Sequence, residues 1–128
     1  MRAQLSIEFI LILAITLSFV IVWLPAIITT KNSTQTAIND FYLKKAAEDV
    51  SYVSDTICIL GEGNEREMTI ITSNKLAITS NTGKTIVFFD GVANISKITK
   101  CLSNISITLE RGRTSFILKN ENEIISVK

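Results

Sequence analysis

A charge-free stretch near the start of the chain constrains its fold more than any other feature. Residues 9–30 contain no Asp, Glu, Lys or Arg, and most of them are Ile, Leu, Val, Phe or Ala. As a helix this stretch measures about 33 Å, enough to cross a hydrocarbon core about 30 Å thick. The sequence therefore predicts a membrane-spanning helix. Arg2 before it and Lys31 after it favour a cytoplasmic N-terminus and an external C-terminus.

The order of the apolar stretch and the small residue argues against an ordinary secretory signal. Such a signal has an apolar stretch of about 7 to 15 residues, followed by a small-residue cleavage site. Here the apolar stretch is longer, and the small residue, Ala3, precedes it. Cleavage after Ala3 would leave the apolar helix on the mature chain.

The residues around this site resemble the class III signal peptide of archaeal type IV pilins, whose pattern is Gln-x-Ser-x-Glu-x-x-x-Leu. Gln4, Ser6 and Glu8 match the pattern, while Ile12 stands at the Leu position. The resemblance implies that a prepilin peptidase cleaves between Ala3 and Gln4 on the cytoplasmic side of the membrane. It also implies that the apolar helix anchors the precursor and later forms the core of a filament.

The resemblance gives assembly roles to Glu8, to Phe9 at the start of the apolar surface, and to Pro25. Glu8 would pair with the amino group freed at Gln4 of a neighbouring subunit, because an unpaired charge in an apolar core is costly. Alternatively, Glu8 only complements the positive end of its own helix. Pro25 is the only proline in the chain. It predicts a kink or local unwinding, or else the end of the membrane helix.

A second helical pattern follows the apolar stretch. Large and small apolar residues recur at steps of three and four, which predicts an amphipathic helix; they are Ile38, Tyr42, Ala46, Val50, Val53 and Ile57. Gly61 and Gly63 are the first glycines, and they predict the end of this helix. We therefore expect a signal peptide at residues 1–3, an apolar helix at 4–30 and its amphipathic extension at 31–60.

Residues 61–128 predict a β-rich extracellular head. Runs of Ile, Thr, Val and Phe between turn residues predict strands at 68–72, 76–79, 85–89, 105–109, 114–119 and 123–127. We expect a meander of five to seven antiparallel strands, with a hairpin across Gly112 as the clearest strand pair. The fold class is α+β, a long N-terminal helix packed on an antiparallel sheet, which is the layout of type IV pilins.

Two cysteines and three Asn-x-Ser/Thr triplets are compatible with an exported head. Cys58 and Cys101 would close a loop of about 44 residues as a disulfide. Alternatively, both cysteines are free and buried. The triplets at Asn32, Asn94 and Asn104 contain no proline, and each can accept an N-glycan on an exported chain.

Composition narrows the classes of function. The chain has no histidine, two cysteines and a net charge of +1. We therefore expect no metal site, no cofactor and no nucleic-acid partner. No nucleophile, base and orienting group occur together, so we expect no catalytic residues and no enzyme.

The leading hypothesis is a structural subunit of an archaeal pilus for adhesion, anchored in the membrane before assembly and extracellular afterwards. Its partners would be copies of itself, other pilins and the prepilin peptidase. One alternative is a minor pilin or pseudopilin. Another is a single-pass membrane anchor with a binding ectodomain that never polymerises.

Overall fold

One long helix and a five-stranded sheet make up the chain. The computed structural model describes residues 2–128, with side chains from Ile7 onward. The chain divides into two compact units, one ending at Ala37 and the other formed by Ile38–Lys128. The predicted α+β class, a long N-terminal helix followed by a β-sheet, is confirmed. The elements are α1 Arg2–Leu60, β1 Glu65–Thr72, β2 Leu76–Phe89, β3 Asn94–Leu109, β4 Gly112–Glu121 and β5 Ile124–Val127.

The sheet is mixed, so the predicted antiparallel meander is wrong. Its strand order is β1-β4-β5-β3-β2. The last strand, β5, runs antiparallel to β4 but parallel to β3, where Leu102 pairs with Ile124. Because the chain returns from β4 through a two-residue turn, β5 fills the space between β4 and β3.

The predicted hairpin across Gly112 is also wrong. β3 and β4 follow each other in the chain but lie on either side of β5, about two strand spacings or 10 Å apart. Gly112 has a φ of 120° and pairs with Thr72 of β1 instead. Alternating side chains identified both segments as strands, but alternation carries no information about which strand pairs with which.

Two of the predicted strands, 76–79 and 85–89, are parts of the single strand β2. The turn-forming residues between them make an irregularity, with register shifts between Ser80 and Gly83 and again between Gly83 and Thr85. Thr82 takes a φ of 46° there, yet the chain does not reverse because both halves of β2 stay paired with β3. β3 itself begins at Asn94, well before the predicted start at residue 105.

The core lies between the sheet and the part of α1 that belongs to the second unit. Within the predicted helical stripe, Ala46, Val50 and Ile57 are buried as expected, but Ile38 is 41% exposed. Leu43 and Ala47 are buried in addition, because the side of the helix that meets the sheet is rotated toward them. The sheet contributes Met68, Ile70, Leu76, Ile78, Ile86, Phe88, Ile105, Leu109, Phe116, Leu118 and Ile125 to this core.

The helix α1 ends at Leu60, directly before Gly61, as the sequence predicted. Gly61 has a φ of 91°, and its N–H donates to the carbonyl of Ile57 at 3.2 Å. Glycine takes this left-handed conformation without steric cost, which is why it commonly follows the last helical residue. The amide of Asn64 also donates to the carbonyl of Leu60 at 2.9 Å. These bonds occupy carbonyl groups that the end of a helix leaves without partners.

Candidate functional site

The N-terminal part of α1 has an apolar surface on every side. Its large apolar side chains between Ile7 and Ile28 are between 49% and 71% exposed. A helix that is apolar all round is stable only inside an apolar environment, such as a bilayer or a bundle of helices. This helix is long and apolar enough to cross a membrane, and its most apolar stretch is not buried against any other part of the described chain.

Hydroxyl groups in this segment are satisfied within the helix. Thr16 donates to the carbonyl of Ile12 at 3.0 Å, and Ser18 donates to that of Ala14 at 2.8 Å. An unpaired hydroxyl in a hydrocarbon environment would cost free energy, so these internal bonds make the segment compatible with lipid.

Glu8 is the one charged residue in the sequence between residues 7 and 30, and it is exposed. Glu8 lies between Ile7 and Phe9, both more than 60% exposed, at the N-terminal end of the apolar surface. The other predicted processing residues, Ala3, Gln4 and Ser6, lie outside the residues whose side chains the structure describes. Glu8 is therefore the carboxylate that an apolar neighbour of this segment would meet.

Pro25 does not end the helix, because α1 continues from Arg2 to Leu60. Proline has no N–H, so the carbonyl four residues earlier receives no backbone bond from it. The carbonyl of Pro25 itself accepts a bond from the Thr29 hydroxyl at 2.9 Å. Pro25 thus leaves one gap in the hydrogen bonding of a helix that is otherwise continuous around it.

An aromatic pair near the middle of the apolar segment was not predicted from the sequence. The rings of Phe19 and Trp23 stack with centroids 5.8 Å apart and an angle of 24° between their planes. Their spacing of four residues places them on one side of the helix, and this spacing is the signal that could have identified them. Trp23 is seven residues, about 10 Å, before Thr30, so the pair lies within the apolar segment and not at its end.

The expected disulfide is present between Cys58 at the end of α1 and Cys101 in β3. Their Cα atoms lie 5.9 Å apart, and the residues are 43 positions apart in the chain. Beside this bond, the N–H of Lys100 donates to the carboxylate of Asp55 at 2.7 Å. Both interactions hold the last turns of the helix against the sheet. A disulfide is typical of proteins outside the reducing cytosol.

All three glycan acceptors predicted from the sequence are exposed. Asn32 lies in α1, Asn94 is the first residue of β3, and Asn104 lies further along β3. Asn104 pairs in the sheet with Ser126 of β5, so its side chain stands on the sheet face opposite the buried Ile105. Asn94 and Asn104 are ten residues apart along β3.

Within the residues that the structure describes, no group of three or more His, Cys, Asp or Glu side chains is arranged to hold a metal ion. No protein-family model matches the chain, and no curated protein or solved structure matches it either.

Proposed function

We propose that the chain is a structural subunit of an archaeal type IV pilus-like surface filament used for adhesion. A prepilin peptidase would cleave the precursor so that the mature chain begins at Gln4. The observation that carries the proposal is the placement of Gln4, Ser6 and Glu8 directly before a helical segment that is apolar and exposed on all sides. The segment would serve first as membrane anchor and then as filament core.

The exposed apolar surface fits both of these states. Lipid tails are about as apolar as leucine side chains, so moving the helix from lipid into a bundle of identical helices changes hydrophobic burial little. Packing and polar contacts must then decide whether the helix assembles. In this segment the one charged group available for such a contact is Glu8.

Pairing of the Glu8 carboxylate would favour assembly of the helices in one register. A carboxylate in the bilayer costs up to about 2.5 to 3.5 kcal/mol at its centre and less toward the interface. A neighbouring subunit would offset this cost with the α-amino group that cleavage creates at Gln4. Because Gln4 and Glu8 are four residues apart, the pair forms when two parallel helices are shifted by about 6 Å. One contact would therefore link processing to assembly.

The proposal is tested by the mass of the native protein and by a substitution at Glu8. We expect the native chain to lack residues 1–3, and Glu8→Gln to give no filaments in the fraction sheared from cells. The mass of the membrane-bound Glu8→Gln chain reports separately whether cleavage still occurs. The matched control is Glu62→Gln, which removes an exposed carboxylate in the turn after α1. A native chain that retains Met1 and never appears in the sheared fraction would instead indicate a membrane anchor that does not polymerise. Normal filaments from Glu8→Gln would refute the assembly role of Glu8.

A further inference from the structure

Large apolar side chains line the solvent side of α1 within the unit Ile38–Lys128. Phe41, Tyr52 and Ile59 are 61%, 69% and 69% exposed, and Ile38 is 41% exposed. At about 3.6 residues per turn these four residues follow one line along the helix, which we call the outer stripe. Val50 is fully buried and lies on the opposite side. The outer stripe therefore takes no part in the core between helix and sheet.

An amphipathic helix that packs on a sheet normally presents polar residues to solvent. The outer stripe instead extends for about 27 Å between Phe41 and Ile59, interrupted in its middle by charged residues. Exposed apolar surface rimmed by polar residues is characteristic of interaction sites. The arrangement of those charges indicates which partner fits.

The charges beside the outer stripe alternate in sign at intervals of four residues. Asp40 is followed by Lys44 and Lys45, and these are followed by Glu48 and Asp49. Lys45 and Asp49 are 3.8 Å apart within one chain, with side chains 61% and 49% exposed, so both remain accessible. Two parallel copies in the same register would place like charges at the same level. A shift of four residues, about 6 Å, places opposite charges level at all of these positions.

We propose that the outer stripe packs against a second, parallel copy of this chain shifted by four residues. The inference rests on the proposed function, because the same four-residue spacing separates Glu8 from the amino group at Gln4. Lys44 and Lys45 of one copy would then lie level with Glu48 and Asp49 of the next. The apolar residues supply the contact area, and the charges select the shift.

Two oppositely charged variants test the contact. Lys44→Glu with Lys45→Glu makes the helix acidic beside the outer stripe, and Glu48→Lys with Asp49→Lys makes it basic. Each variant alone places like charges level in the shifted pair, so we expect processed protein in the membrane and no filaments in the sheared fraction. Coexpression of the two should restore filaments, because acidic and basic copies can alternate.

This design separates contacts between chains from those within one chain. Residues four apart also attract each other along a single helix, and each variant loses those intrachain pairs. Coexpression does not restore them, so recovery of filaments reports contact between copies. Normal filaments from either variant alone, or no recovery on coexpression, would overturn the inference about the outer stripe. The proposed function would still stand if Glu8→Gln abolished the filaments. If Glu8→Gln also forms normal filaments, the assembly role of Glu8 fails as well. A native chain that retains Met1 and gives no filaments in the sheared fraction would refute the proposed function itself.

A second set of variants tests the apolar residues directly. Phe41→Ser and Tyr52→Ser should each reduce the filament yield, whereas Phe89→Ser should leave it unchanged. Phe89 is the matched control because it is 47% exposed but lies in β2, away from the outer stripe. Thermal unfolding of the full chain in detergent should be the same for all three variants and the wild type. Equal filament yields from Phe41→Ser and Phe89→Ser would contradict the proposed contact.

Discussion

Replacing Cys58 and Cys101 by alanine removes the covalent link between the end of α1 and β3. The two residues are 43 positions apart, and the chain between them contains β1 and β2. While the disulfide is intact, the unfolded chain can explore fewer conformations, which raises the free energy of the unfolded state. The hydrogen bond from Lys100 to Asp55 remains in the variant, so the folded head should keep its structure.

The expected loss follows from the length of the closed loop. For a loop of about 44 residues, the chain-entropy relation gives about 4 kcal/mol at 25 °C. Since about 1.4 kcal/mol corresponds to a factor of ten, unfolding should become roughly a thousandfold more frequent. For a head of this size, the melting temperature should fall by roughly 15 to 30 °C.

Hydrogen exchange of the full chain in detergent measures this change. The backbone amides of Ile86 and Phe88 suit the measurement, because both residues are completely buried in the sheet and exchange when the head unfolds. Cys58→Ala alone should accelerate their exchange as much as the double variant, since either substitution breaks the link. Exchange within about threefold of the wild type, less than 1 kcal/mol, would refute the loop-closure reasoning.

Two further predictions concern the sheet. Glu123→Gly should raise the free energy of unfolding by roughly 0.5 to 1 kcal/mol, because glycine adopts a positive φ without strain. Asn122 and Glu123 have φ values of 54° and 63° in the β4–β5 turn. A lower melting temperature of the variant would contradict this prediction. The hydrogen bond and charge of Lys119 should hold the pKa of Glu121 below its ordinary 4.5, which an NMR titration can measure. The ion pair therefore stabilises the fold above pH 4.5, and this stabilisation is lost as the pH falls through the depressed pKa. Lys119→Met should return the pKa of Glu121 to its ordinary range, and an unchanged titration would exclude the ion pair.

The local features of this chain were determined by the sequence. The helix, its end at Gly61 and the positions of most strands depend on hydrophobic periodicity and on residues close together in the chain. The apolar segment of residues 9–30 follows in the same way from composition. With two cysteines the sequence allows one intramolecular pairing, but it left open whether Cys58 and Cys101 are bonded or free. The structure decided this by placing their Cα atoms 5.9 Å apart.

The tertiary structure alone decided how the strands pair and which helical residues are buried. A strand's alternation defines its two faces, but its neighbour depends on which arrangement buries the most apolar surface with backbone groups paired. For this reason β5 lies between β3 and β4, and Asn81 to Gly83 form an irregularity in β2 instead of a turn. The sheet likewise covers Leu43 and Ala47 but leaves Ile38 exposed, since only packing fixes the rotation of a helix about its axis. The outer stripe became visible only when that rotation was known.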